Sequence, residues 1–389
     1  MQLIKITLLV VSFLISYLFF PSQNKISTND EINIDSISTL RIAVVGDLMC
    51  HSPQFNYARV TKDSFDFKPV YRFIKPYLED ADFTFGNLET VIGIKPDSYS
   101  GYPRFKSPPE YISALGKSGF DFLSFANNHT LDQGEKGVLN TIQCLNNNHI
   151  GYTGAFTSYS DRDSIRIFEM NGIRFSVLAY SFGTNGSLIP KGKDYLINLI
   201  DYDLIARDIT LSRQKGAEIV LVNFHFGDEY QRYPSDYQKQ VVQKTIEFGA
   251  DLITASHPHV IQPVKFFKTK NAKLDSVFVT YSLGNFISNQ RKRFTDSGVI
   301  IFINLVKNKV TNELKISSVE YLPTWVYKGK TENGNEFIIL PLKENHNYEG
   351  LNFLSESDKQ KMIQAFEDTK EILQSFGSEI ILYKNELSD

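Results

Sequence analysis

Five of the seven histidines in this 389-residue chain fall in short polar clusters. The clusters read Gly46-Asp47-Leu48-Met49-Cys50-His51, Asn127-Asn128-His129-Thr130-Leu131-Asp132, His225-Phe226-Gly227-Asp228-Glu229 and His257-Pro258-His259. Gly86-Asn87-Leu88-Glu89 has the same layout without a histidine. Each is expected where a buried strand ends. Imidazole, carboxylate and amide oxygen at successive strand ends suggest one shared site, and together they are donors for a first-row divalent metal.

Taken singly, most of these residues have a second reading. Asp47 follows a strand and a glycine, where a carboxylate often caps a helix. Glu89 repeats that layout. Asp132, three residues past His129, reads either as an acceptor that orients the His129 ring or as the cap of a helix starting near Gly134. A lone histidine in the place of His225 is more often a satisfied core residue than a ligand. In His257-Pro258-His259, alternate residues of an extended segment point to opposite sides. The two rings are therefore expected to reach different metals, or one to coordinate while the other bonds a substrate oxygen. Arg104 and Lys106 could bind carboxylate or phosphate, although an exposed basic pair is usually just solvated. Asn285 could bond a site residue or simply serve its turn with Gly284. Glu229 and Tyr230 follow His225 closely.

The elements that must position these clusters are legible as periodicity. Residues 40–45 (LRIAVV) read as a strand buried on both faces. Further strands are expected at 82–85, 120–126, 218–223 and 251–255. Helices are expected at 67–79, 110–117, 134–147, 203–215 and 235–249, with Val138, Leu139, Ile142 and Leu145 at helical spacing. Asn171-Gly172 marks a hairpin between 164–170 and 173–180. Strands at 260–267, 276–282, 298–306, 312–321 and 336–342 and a helix at about 356–376 complete the chain. Alternation followed by a strand-rich stretch predicts an α/β fold of two packed mixed sheets with helices outside.

Bulk properties agree. A hydrophobic content of 42%, with 30 Phe and 20 Tyr, can bury a large core. The net charge of -3 gives no basic field, so nucleic acid is not an expected partner. Residues 6–20 (ITLLVVSFLISYLFF) read as a secretory signal or an uncleaved anchor, and Pro21 breaks the run. Residues 1–25 are thus a signal peptide or membrane anchor, 26–39 a linker, 40–325 the main domain and 326–389 a C-terminal extension with a strand and a helix. This places the domain outside the cytoplasm, membrane-anchored or secreted. Cys50 and Cys144 are expected as buried free thiols, with a bridge between them left open.

The clusters occur in the order Gly46-Asp47, Gly86-Asn87-Leu88-Glu89, Asn127-Asn128-His129-x-x-Asp132-x-Gly134, His225-Phe226-Gly227-x-Glu229, His257-Pro258-His259-Val260-x-Gln262 and Ser282-Leu283-Gly284-Asn285-Phe286. This series resembles the CapA family of capsule-synthesis proteins linked to poly-γ-glutamate, which are similar to calcineurin-like metallophosphoesterases. The resemblance covers roughly residues 40–325. It implies a four-layer α/β/β/α sandwich with a metal site between the sheet ends. It also implies that Asp47 and His259 hold one metal, that Asn128, His225 and His257 hold a second, and that Glu89 bridges them. His129 would act as general acid, paired with Asp132.

Such a site holds one or two divalent ions, with Mn, Fe or Zn favoured by mixed nitrogen and oxygen ligands. Two ions clamp the attacking and leaving oxygens, with a hydroxide between them as nucleophile. The chain departs from the phosphoesterase pattern at Met49, where a first histidine is usual; His51 could substitute. Arg104, Lys106, Glu229 and Asn285 are the candidate substrate contacts. The expected function is metal-dependent hydrolysis of an anionic polymer, such as poly-γ-glutamate, or of a phosphoester of the cell envelope. The alternative is a non-catalytic polymer-binding or scaffold subunit of a capsule synthesis and export assembly.

Overall fold

The computed structural model describes residues 36–94 and 99–384. The segment 1–25 and the linker up to residue 35 lie outside the described residues. Among the described residues, no helix is long and apolar enough to cross a membrane.

Two mixed sheets organise the chain from Ser38 onward. The first runs in spatial order β14 (Gly334–Pro341), β13 (Leu314–Thr331), β12 (Ser297–Asn308), β1 (Ile37–Leu48), β2 (Phe83–Leu88), β3 (Phe122–Ser124), β4 (Gly151–Thr153). Two short strands join it, β11 (Asn285–Ile287) on β1 and β15 (Ile381–Leu382) on β13. The second sheet runs β5 (Ile167–Met170), β6 (Ile173–Ser181), β7 (Ile219–His225), β8 (Leu252–Ser256), β10 (Ser276–Thr280), β9 (Val264–Lys268). Neighbours from β1 to β4 and from β6 to β8 are parallel, and the outer pairs β12–β13, β13–β14, β5–β6 and β9–β10 are antiparallel.

Alternation along β1 sends Ile42 and Val44 to one face and Ala43 and Val45 to the other, and all four are buried. The first pair joins Phe83, Phe85, Phe122, Phe175, Val177, Ile219 and Leu221 between the sheets. Phe83 and Phe175 meet there edge to face with centroids 4.9 Å apart. The second pair faces helices Glu110–Lys117 and Gly134–Asn147 through Leu115, Val138, Ile142 and Leu145. Leu139 is instead exposed. Helices Tyr202–Gln214 and Asp236–Glu247 cover the far face of the second sheet through Ile205, Ile209, Val241 and Ile246. The order helix, sheet, sheet, helix follows from these three apolar layers.

Several elements differ from their periodicity. The helix expected at 67–79 is two short ones, Lys68–Tyr71 and Lys75–Glu79, because each proline occupies a first turn and cannot continue a preceding helix. β13 runs straight through residue 325, so the last part of the chain shares the first sheet. The helix Glu356–Gln374 packs Met362 and Phe366 against Trp325, Ile338 and Leu340. Cys50 and Cys144 are both free thiols, but only Cys50 is buried; Cys144 is partly exposed.

Gly46 lies at the irregularity between Val44 and Asp47 in the β1–β2 pairing. A Cβ there would run into the carbonyl oxygen of Gly284, which accepts the Asp47 amide at 2.9 Å. Gly46→Ala is therefore expected to lower unfolding stability by about 1–3 kcal/mol, the cost of overpacking a close backbone approach. Chemical denaturation of both forms measures this.

Candidate metal centre

Strand register brings the polar clusters into line. Asp47 is the partner of Asn285 on one side and Asn87 on the other, and Asn87 is the partner of Ser124. In the second sheet His225 lies between Ser181 and Ser256, and His257 follows directly. Two rows of strand ends thus converge, with Asp47, Glu89 and His225 wholly buried and His129, His257 and His259 nearly so.

Glu89 sits among imidazoles. Its Oε1 lies 3.7 Å from His225 Nε2 and 3.9 Å from both His129 Nε2 and His259 Nε2. Neither carboxylate oxygen has a hydrogen-bond partner, and Asn87 Oδ1 and His257 Nδ1 are likewise buried without one. Buried polar groups are normally satisfied, so four orphaned atoms in one place call for a missing partner. The donor set fits a divalent cation. Glu89, His225 and His257 form one group whose ligand atoms lie within 4.8 Å of one another; Asp47, Glu89 and His259 form a second; Glu229, His257 and His259 form a third. Glu89 belongs to the first two, which is the geometry of a shared ligand.

The two carboxylates are biased oppositely. Burial works to raise the Asp47 pKa. The hydrogen bond and charge of His259, the charge of His225 and the Asn87 amide overcome it and hold Asp47 well below the usual carboxylate range. Burial and then the Asp47 charge push Glu89 far above its ordinary value. A cation bound by both would reverse the Glu89 shift and reinforce that of Asp47. Burial, followed by the His257 charge, keeps His225 neutral, and burial followed by the His259 charge lowers His257 to about 3. Burial opposes charge on His259 too, but its bonds and proximity to Asp47 raise its pKa.

Neighbouring side chains hold these rings in place. Asn87 Nδ2 lies 2.8 Å from Asp47 Oδ1 and 3.2 Å from His225 Nδ1. Asn128 Oδ1 lies 2.8 Å from His225 Nε2. His259 Nδ1 is 3.0 Å from Asn285 Oδ1 and 3.3 Å from Asp47 Oδ2. His129 Nδ1 is 2.8 Å from Asp132 Oδ2, which also accepts the Phe105 amide at 2.7 Å. That bond directs His129 Nε2 toward Glu89. Asp132 thus sits as the acceptor that orients the His129 ring.

Four placements depart from the sequence reading. His257 and His259 do not face opposite sides: φ is 105° and 58°, so the segment is left-handed at both residues rather than extended, and the ring centroids lie 5.9 Å apart. His51 stands outside the ligand groups. It precedes the helix Ser52–Tyr57, with Nδ1 3.1 Å from Gln54 Oε1 and 3.4 Å from the Asn289 amide. Asn285 is wholly buried with Oδ1 3.0 Å from His259 Nδ1, so it bonds a site residue, as one of its readings had it, and does not stand among the substrate contacts. Arg104 is exposed and donates from Nε to the Asp132 carbonyl at 2.9 Å, and the Lys106 backbone pairs with Ser100. Neither belongs to a ligand group; Glu229, by contrast, joins His257 and His259.

Asn87 and Phe182 were not singled out from sequence. Asn87 had a signal, because it lies at the end of β2 in the same short cluster as Glu89. Phe182 packs its ring 4.5 Å from that of His257; in a chain with 30 Phe its residue type carried no signal. Asn285→Ala is expected to free the His259 ring and weaken metal affinity about 10–100-fold, the usual effect of losing a residue that orients a ligand. Competition with a chelator of known affinity would measure it.

A family model described as "Bacterial capsule synthesis protein PGA_cap" matches residues 41–290. The chain is similar to the capsule biosynthesis protein CapA of Bacillus anthracis, 27% identical over 279 residues. That match covers 69% of this chain and 64% of the relative, a little under two thirds of its length. The PGA biosynthesis protein CapA of Bacillus subtilis strain 168 is 25% identical over 276 residues, covering 70% of each. Among solved structures, the calcineurin-like phosphoesterase YfkN from Bacillus subtilis aligns with a TM-score of 0.40 at 14% identity, covering 86% of this chain and 98% of that one.

Proposed function

Because the chain belongs to the bacterial capsule synthesis protein PGA_cap family, we propose that it is a metal-dependent hydrolase of capsule biosynthesis that acts on an anionic polymer or phosphoester outside the cytoplasm. The observation that carries this reading is Glu89: a wholly buried carboxylate with both oxygens unpartnered, ringed by three imidazoles at 3.7–3.9 Å. Such a group is costly unless a cation meets it.

Asp47 and His259 would hold one divalent ion, His225, His257 and Asn128 a second, with Glu89 shared. Bound ions supply an activated water at neutral pH and neutralise charge on the reacting group. The chain's own residues do the rest. Asn87 and Asn285 fix the donor atoms, and Asp132 holds the His129 proton on Nδ1 or shares it. The imidazolium form of His129, which carries a proton on Nε2 as well, would give that proton to the leaving group and return to the neutral Nδ1–H ring. Phe182 and Phe105 border the His257 and His129 rings and limit water around them. The location rests on the apolar run at residues 6–20, and membrane and export partners follow from that location.

A second reading, a polymer-binding scaffold, is favoured by Met49. This residue is buried at the place of a usual first-site histidine, and its carbonyl accepts from Gln54 and Tyr111. The test is turnover after reconstitution with Mn²⁺ or Zn²⁺, using a chromogenic phosphodiester and a γ-glutamyl polymer. A hydrolase cleaves one of them in a chelator-sensitive way. A scaffold binds the polymer and cleaves neither.

A further inference from the structure

The side-chain amide of Asn128 can face the metal centre in two ways. Its oxygen can meet a cation, and its NH₂ group cannot. The two ends are nearly the same size, so a half-turn about the last bond exchanges them, and hydrogen bonds decide which one faces inward. Two such bonds are present. Asn128 Oδ1 lies 2.8 Å from the buried His225 Nε2, and Asn128 Nδ2 donates to Asn185 Oδ1 at 3.2 Å.

The bond to His225 belongs to the metal-free protein. It needs a proton on His225 Nε2, the nitrogen that also lies 3.7 Å from Glu89 Oε1. A ring nitrogen that ligates a cation through its lone pair carries no proton. Once Nε2 is a ligand, it no longer donates to Asn128. Among the described residues, the bond to Asn185 is then the one left that tells the two ends of the amide apart.

The backbone places Asn185 for this task. It lies in the loop between β6 and the short helical turn Asp194–Leu196, with φ at 50°, and Gly186 follows at 75°. Left-handed φ is open to Gly and Asn at little cost, so the turn alone accounts for the residue type. It does not account for the side chain, which leaves an exposed loop and reaches an asparagine that is only 3% exposed. Phe182, at the start of the same loop, packs its ring 4.5 Å from that of His257. Lys193, near its end, is ion-paired with Glu135 on the helix Gly134–Asn147. The loop is thus fastened to two residues of the metal centre, Asn128 and His257.

We propose that Asn185 is a positioning residue of the metal centre: its side-chain oxygen holds the NH₂ end of Asn128 and so presents the Asn128 oxygen to the second ion. This rests on the reading above that Asn128 is a ligand of that ion. A loop at the surface thereby sets the orientation of a buried ligand.

The test is titration of the metal-free full chain with Mn²⁺ against a chelator of known affinity. Wild type, Asn185→Gly, Asn185→Asp, Asn128→Ala and the double variant Asn128→Ala/Asn185→Gly are compared. Glycine keeps the left-handed turn and removes the oxygen; aspartate keeps the turn and an acceptor. Asn185→Gly is expected to weaken one of the two ions about 10–100-fold and to leave the other. Asn185→Asp is expected to recover most of that loss, which a turn residue without contact to the ligand would not show. In the Asn128→Ala background, Asn185→Gly is expected to cost nothing further, because the two residues act through one contact. Wild-type affinity for both ions in Asn185→Gly, beside a lost ion in Asn128→Ala, overturns the proposal alone. So does a loss that Asn185→Asp does not recover, or one that persists in full when Asn128 is already alanine. Wild-type affinity in Asn128→Ala, or no ion taken up by wild type, removes the ligand reading of Asn128 and the proposal with it.

Discussion

Glu89→Gln is expected to abolish metal binding while leaving the metal-free protein at least as stable as wild type. The two effects have one cause. Glu89 belongs to both principal ligand groups, so its loss strikes both ions. Residues that only orient a ligand cost about 10–100-fold in affinity, and a shared ligand is expected to exceed that. In the metal-free state the same carboxylate is a burden, with no hydrogen bond to either oxygen and Asp47 close by. Its folded-state pKa is raised above the ordinary 4.5, so the metal-free native state binds the extra proton. Stability from this group is fully present below about 4.5 and is lost as pH rises toward the folded pKa, by up to about 1.4 kcal/mol per pH unit. Glu89→Gln removes that slope. Melting curves of both proteins in chelator from pH 5 to pH 8 should diverge with rising pH, the variant becoming relatively more stable. If wild type and variant instead run parallel, burial does not raise the Glu89 pKa as described here.

His129→Ala is expected to lower turnover by about 10²–10⁴-fold, the range for losing a general acid, with metal content unchanged. The ring lies 3.9 Å from Glu89 through Nε2, yet it belongs to none of the groups that could hold an ion. Its Nδ1 is committed to Asp132. Asp132→Asn should reproduce part of the loss, because the ring then has a weaker acceptor to fix it. Elemental analysis alongside kinetics separates the roles: loss of an ion in His129→Ala would make it a ligand, and unchanged polymer handling would favour the scaffold reading.

The positions of the clusters were legible because buried strands write continuous apolar runs and the site lies where those runs end. Asp47, Glu89, His225 and His257 each stand at or just past such a strand end. The directions of side chains were less legible. The fate of His257 and His259 depends on two positive φ angles, which residue types other than glycine do not announce. The three-residue strand β11 is too short to show a period, so the place of Asn285 beside Asp47 was hidden. His51 resembled a ligand by composition, but its position at a helix start, three residues before Gln54, decides its contacts. Asn87, at the end of β2 beside Glu89 in sequence, is the companion of both Asp47 and His225, a role that an amide next to an acid does not announce.

The most direct test of the account is the metal content of the purified chain, measured by elemental analysis after reconstitution with Mn²⁺ or Zn²⁺, beside Glu89→Gln. The account predicts about two divalent ions per wild-type chain and almost none in the variant. A wild-type chain that retains no stoichiometric ion would contradict it and leave the orphaned Glu89 carboxylate without a partner.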